Sequence, residues 1–362
     1  MRHLGLDSCP GLVRPFPAAD GALVRLRVPG GRIPLGTLSD LLAMAADHGA
    51  PVLQLTSRGN LQLRALPDPL PTDLVTRLEA TGLLPSATHE LVRNIIATPL
   101  DGQIASLVGE LDDALVADPE LGALPGRFLF AVGNAGGAVL GEAWDAAYEV
   151  IDDHCGRVLA GRYAVEVARR DAVAELVHRA RLFLQHRDDA GVWNVRDLPD
   201  RSPVFDGMSP YAVSPAPPLR PGVVDDDPDG ALVVGVPLGM LRSTHAAALA
   251  AVADEVTLTP WRSLVVPGGV THATTLAAAG LVTTPDSPWA RLSACVGAPS
   301  CGRTSSPTLE LAGAAASVLP VDGARVHVVG CERRCGHPAT DHATVVAPTT
   351  VDDILTAAGA RP

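Results

Sequence analysis

Four of the six cysteines fall into two close pairs: Cys295 and Cys301 in "CVGAPSC", Cys331 and Cys335 in "CERRC". Each pair sits in a segment containing Gly or Pro, next to an apolar run such as "ARVHVVG" at 324–330. Loops of that kind can turn several sulfurs toward one point. Four thiolates at one point suit a cubane [4Fe–4S] cluster, which takes four cysteine ligands. Structural zinc also takes four cysteines, usually with shorter spacings inside each pair. Buried, unliganded cysteines are the third reading. Cys9 and Cys155 have no companions and read as ordinary core residues. So few cysteines in 362 residues do not make a secreted disulfide scaffold.

The elements that must position these loops show an internal repeat. "DGALVRLRVP" starts at Asp20 and "DGALVVGVP" at Asp229. After the first, Leu38, Leu41, Leu42 and Ala45 share one helical face, with Thr37 placed to cap the start and Gly49 the end. Two strand-like runs follow, "PVLQLTS" and "LQLRAL", joined by Arg58-Gly59-Asn60. After the second copy come an Ala-rich helix around 243–254 and "EVTLTPWRSLVVPG", again strand, turn with an arginine, strand. Each copy precedes a longer segment. The first, about 90–210, contains a Gly-rich "GNAGGAVLG" read as a hairpin turn. It also holds an amphipathic helix near 171–187, whose His178, His186 and arginines read as its solvated side. The expected fold is α+β, a tandem duplication in the order A–B–A′–B′. Its segments are 18–85 and 229–285 (half-domains), 88–208 and 288–362 (larger domains) and a Pro- and Asp-rich linker, 209–228.

Composition narrows the chemistry. The net charge is −12, with five Phe, three Tyr and four Trp, which argues against a nucleic-acid surface. No apolar run approaches a membrane span and the start lacks a signal-peptide core, so a cytoplasmic protein without a membrane partner is expected. All 28 basic residues are arginine. With no lysine, Schiff-base chemistry, pyridoxal-phosphate attachment and a Walker phosphate loop are excluded. No dinucleotide fingerprint is present, so electrons are expected from an external donor, a ferredoxin or an NAD(P)H-linked reductase.

The order C-x5-C then C-x3-C resembles the cluster motif of the sulfite and nitrite reductase superfamily. "LTSRGNLQLRAL" is similar to its T-x-R-x-x-[IL]-Q motif, carrying Arg58 and Gln62. "LVRNIIATPLDG" is similar to its Arg-Asn segment, carrying Arg93 and Asn94. The resemblance implies ferredoxin-like half-domains alternating with larger α/β domains. It also implies a [4Fe–4S] cluster on Cys295, Cys301, Cys331 and Cys335, and a tetrapyrrole pocket that holds sirohaem in the reductases.

In those reductases a pair of lysines serves proton delivery on a strand matched here by "LPGRFLFAV", where Arg127, Phe128, Leu129 and Phe130 stand. Arginine stays protonated and passes protons poorly near neutral pH. "ACVGAPSCG", "LTPWRSLVVPG", "LPGRFLFAV" and "GCERRCGHP" resemble instead the precorrin-3B synthase branch. That resemblance implies an oxidoreductase using O2 to hydroxylate precorrin-3A, a tetrapyrrole acid, with lactone formation. Besides the cluster it implies a mononuclear non-haem iron, whose ligands no spacing here identifies. Arginine forks match carboxylates, so Arg58, Arg93, Arg262 and Arg303, with Gln62 and Asn94, are the expected substrate-binding residues. A sirohaem-dependent reductase and a non-catalytic electron carrier are the alternatives.

Overall fold

The computed structural model describes residues 7, 9–224, 227, 229–320 and 322–359. Parts of the expected linker (225, 226 and 228) and of the last domain (321 and 360–362) lie outside the described residues. The chain divides into two compact units. One comprises residues 1–14, 26–31 and 79–218, the other 15–25, 32–78 and 219–362.

The second unit holds both copies of the repeat, each built around a five-stranded sheet. In the first sheet the order is 16–18, 21–26, 61–66, 53–55 and 240–241; in the second it is 222–223, 232–235, 263–266, 255–258 and 32–34. The last strand of each sheet comes from the other copy. Arg32–Pro34, just before the first copy's helix Leu35–His48, pairs with the second copy's Glu255–Leu258. Met240–Leu241, just before the helix Ser243–Ala250, pairs with the first copy's Leu53–Leu55. The duplication is therefore sealed by reciprocal strand exchange, which gives each sheet an edge its own copy lacks. The helix Leu35–His48 buries Leu35, Leu38, Leu41, Leu42, Met44 and Ala45, the face its periodicity predicts. Its start differs from expectation: Pro34 holds the N-cap position and Thr37 falls inside the first turn. Gly49 does end it, donating to the Ala45 carbonyl at 2.9 Å.

Also in this unit is a parallel three-stranded sheet, Leu292–Ala294, Val326–Val329 and Ala343–Val346. Helices Thr308–Ala316 and Val351–Ala357 supply Ala312, Ala315, Ala316 and Ile354 to its core.

The first unit carries a six-stranded sheet in the order 209–210, 163–168, 155–160, 146–150, 130–134 and 95–97. Phe128, Phe130, Tyr148 and Phe183 are central to its core. Two expectations are corrected here. "GNAGGAVLG" is not a hairpin turn, because Phe130–Asn134 and Ala146–Val150 are parallel and the segment must cross over. Nor do all the arginines of the helix Ala172–Ala190 face solvent, since Arg179 and Arg187 are buried. Arg179 escapes the usual penalty by donating to Glu175 and to the carbonyls of Val204 and Asp206. The expected linker is tied down at both ends: Ser209–Pro210 pairs with Tyr163–Ala164, and Gly222–Val223 with Leu232–Val233.

Candidate metal centre

Parallel neighbours finish at the same edge of a sheet, and this places the cysteines. Leu292–Ala294 and Val326–Val329 run side by side in the register Ala294 to Val328. The first strand leads directly into Cys295 and the second, past Gly330, into Cys331. Cys295 N extends the ladder by donating to the Val328 carbonyl at 2.9 Å. Gly330 N then donates to Cys295 Sγ at 3.2 Å. Thr308 Oγ1 stands 3.6 Å from the same sulfur and donates to the Cys295 carbonyl at 2.7 Å. Gly297 turns the first loop at φ 62°, where a Cβ would lie 2.3 Å from Thr308 Oγ1, so only glycine fits. Cys301 N closes that loop on the Gly297 carbonyl at 2.8 Å, and Arg334 N closes the second on the Cys331 carbonyl at 3.1 Å.

Cys301 and Cys335 lie in the loops that follow Cys295 and Cys331. Cys335 is exposed as a residue, yet surrounding protein pushes its thiol pKa up, and the charges of Cys295, Cys331 and Cys301 push it further, against Arg333. Among the described residues, no three His, Cys, Asp or Glu side chains are gathered tightly enough to hold a single metal ion.

Each cysteine loop is fastened by an arginine of a different ferredoxin-like sheet. Arg64, on Leu61–Leu66, pairs with Asp20 at 3.1 Å and donates through Nη2 to the Ser300 carbonyl at 3.1 Å, inside the first loop. Arg262, in the turn before Ser263–Val266, donates through Nη2 to the carbonyl of Gly336, next to Cys335. A third support is His327, fully buried on the central strand. Its Nδ1 lies 2.8 Å from Ser293 Oγ and its Nε2 3.2 Å from the Cys335 carbonyl. A carbonyl only accepts, so Nε2 carries the proton and Nδ1 accepts from the serine hydroxyl. Burial, then the charges of Arg262 and His342, push His327 down to about 4, so it stays neutral.

Of the residues expected to bind substrate, Arg58, Gln62, Arg262 and Arg303 lie in one unit and Arg93 and Asn94 in the other. Arg262 turns to the cysteine loop instead of standing open as a fork. Gln62 is buried in a polar row across the first sheet, its Oε1 accepting from Arg25 at 2.6 and 3.0 Å and its amide donating to Gln54 at 2.8 Å. Arg58 is half-buried in the turn, its amide held by Thr56 Oγ1 at 3.3 Å. Arg303 is exposed beside the first cysteine loop. Arg93 and Asn94 belong to the other unit. Arg93 grips Asp112 through Nε and Nη2, at 2.7 and 2.5 Å, and gives Nη1 to the Leu83 carbonyl at 2.7 Å. Asn94 donates to the carbonyls of Leu91 and Gly126. Both are thus engaged in holding backbone and an ion pair. Arg64, Arg25 and His327 had no place in the motifs read from sequence; only the strict alternation of Leu61-Gln62-Leu63-Arg64 hinted that Arg64 leaves the helix-covered face.

Residues 16–80 match the family model "Nitrite/Sulfite reductase ferredoxin-like half domain". A curated relative, "Precorrin-3B synthase" of Sinorhizobium sp, is 39% identical over 59 residues, which take in 16% of this chain and only 13% of that protein. The solved structure of the Mycobacterium tuberculosis NirA protein superposes with a TM-score of 0.64 at 18% identity, covering 87% of this chain and 69% of that one. The chain thus has the fold of the NirA protein and carries, over residues 16–80, a nitrite/sulfite reductase ferredoxin-like half domain.

Proposed function

We propose that the chain is an iron–sulfur oxidoreductase of the precorrin-3B synthase kind, which hydroxylates the tetrapyrrole acid precorrin-3A with O2 and allows a lactone to form. The observation that carries this reading is the common edge shared by Cys295 and Cys331 on adjacent parallel strands, with Cys301 and Cys335 in the loops that follow them. Cys295, Cys301, Cys331 and Cys335 would hold the [4Fe–4S] cluster, which supplies electrons singly. Insertion of one oxygen atom from O2 uses two electrons and two protons and releases the other atom as water. A ferredoxin or NAD(P)H-linked reductase would provide those electrons.

The chain's own residues set the conditions for this. Gly330 N–H donates to Cys295 Sγ, and neutral His327 fixes the backbone at Cys335 without adding a charge. Arginines, permanently protonated, can bind the carboxylates of a precorrin but cannot relay protons as lysines do. That separates this lysine-free chain from a reductase of small oxyanions. No ligand set for a mononuclear iron is assembled among the described residues, and no step is assigned to one.

The test is incubation of anaerobically loaded protein with precorrin-3A, reductant and O2. The reading predicts a product heavier by one oxygen atom. A sirohaem absorption band with sulfite or nitrite reduction would replace it with the reductase reading. A reducible cluster with no product would leave an electron carrier.

A further inference from the structure

Two guanidinium groups of the first unit share a single indole. Arg127 lies 4.9 Å from the ring centroid of Trp193, and Arg187 lies 4.8 Å from the same centroid. Arg187 is 8% exposed, and its Nε is buried without a hydrogen-bond partner. Its closest carboxylate is Asp188, 3.6 Å from Nε, on a side chain 82% exposed to water and therefore a weak counter-ion. Asp7 adds some negative potential, but its oxygens accept from the amides of Cys9 at 2.9 Å and Gly126 at 2.5 Å. Two like charges over one ring repel each other, and a buried guanidinium nitrogen without a hydrogen-bond partner is unfavourable unless an anion completes it. Cation–π contact with Trp193 offsets only part of that.

We propose that Arg127, Trp193 and Arg187 form a carboxylate-binding site, with Arg187 as the fork and Trp193 as the flat wall beside it. Resting on the proposed function, the carboxylate is one of the acidic side chains of the tetrapyrrole. The local build supports a fixed site. Gly191 ends the helix Ala172–Ala190 in the left-handed conformation, with its amide on the Arg187 and Asp188 carbonyls, and so sets where Trp193 emerges. Asp145 holds the two segments concerned, accepting from Leu129 N at 3.0 Å and Val195 N at 2.8 Å.

The test titrates the intact, cluster-loaded protein with coproporphyrin, with its tetramethyl ester and with mellitate, following absorbance and Trp fluorescence. Wild type should bind both acids and not the ester. Arg187→Gln and Arg127→Gln should each raise the Kd for both acids about tenfold or more, while cluster absorbance stays at the wild-type level. Trp193→Phe, which keeps an aromatic wall, should retain most of the affinity. Arg187-dependent binding of mellitate without binding of coproporphyrin would keep the carboxylate site and overturn the tetrapyrrole reading. Binding of the acids with no loss in either arginine variant, or no binding of any acid by wild type, would overturn the site.

Discussion

Arg262 stands in the second ferredoxin-like copy where Gly59 stands in the first. Each follows a turn threonine by three residues, and both have positive φ, 56° and 62°. Thr56 Oγ1 accepts from Arg58 N and Thr259 Oγ1 from Trp261 N, each two residues on within its turn. Glycine adopts this conformation freely, whereas arginine there costs on the order of 1 kcal/mol. The second copy keeps the strained residue, and its guanidinium reaches the backbone of Gly336 beside Cys335.

Replacing Arg262 should therefore separate stability from cofactor retention. Arg262→Gly relieves the strain and is expected to leave the urea midpoint unchanged or slightly raised. The same variant should lose cluster absorbance faster in air, because the second cysteine loop loses its clamp. Full retention at the wild-type rate would show that the contact does not support the site.

Arg64→Gln breaks both the Asp20 ion pair and the Ser300 contact, leaving a largely buried carboxylate unpaired. A loss of about 2–3 kcal/mol in denaturant unfolding is expected, together with lower iron content. Unchanged stability would remove Arg64 from the frame of the first cysteine loop.

Arg93 is expected to act through the fold. Arg93→Gln leaves Asp112 without its partner and should cost about 3 kcal/mol. Coproporphyrin affinity, measured below the unfolding transition, should stay within twofold. A large loss of affinity at unchanged stability would return Arg93 to the substrate site.

His245 supplies a pH dependence away from the metal centre. Burial, then the charge of Arg242, lowers its pKa below the usual 6.5 while its Nδ1 accepts from Arg242 N at 3.2 Å. The unfolded chain therefore binds the proton that the folded chain resists, and stability falls as pH drops below 6.5. Above that pH the contribution is fully present. His245→Asn, which can still accept that amide, should show a shallower fall in urea midpoint between neutral and mildly acidic buffer. Equal slopes for the two proteins would exclude a role for His245.

The duplicated halves were legible because each repeats "DGALV" and then a helix, strand, turn, strand pattern with clear periodicity. The exchange of Arg32–Pro34 for Met240–Leu241 was not, since three- and two-residue strands carry no pattern and their partners lie some two hundred residues away. "GNAGGAVLG" misled because glycines mark a change of direction without saying whether the next strand returns antiparallel. The cysteine spacing predicts a shared ligand. What each arginine does depends on which group the fold brings near: Arg262 meets the Gly336 carbonyl, Arg93 meets Asp112, and Arg187 meets an indole, with the exposed Asp188 as a nearby carboxylate. Helical periodicity put Arg179 and Arg187 on a solvated side because it weighs charge and knows nothing of the carbonyls of Val204 and Asp206 or the ring of Trp193.

Metal and sulfide analysis of anaerobically purified wild type, Cys331→Ser and Cys155→Ser tests the central claim most directly. Wild type and Cys155→Ser should contain iron and acid-labile sulfide in equal amounts, near four of each per chain, with broad visible absorbance that bleaches on reduction. Cys331→Ser should lose most of both. Zinc without sulfide in wild type, or equal loss in the two variants, would contradict a [4Fe–4S] cluster on Cys295, Cys301, Cys331 and Cys335.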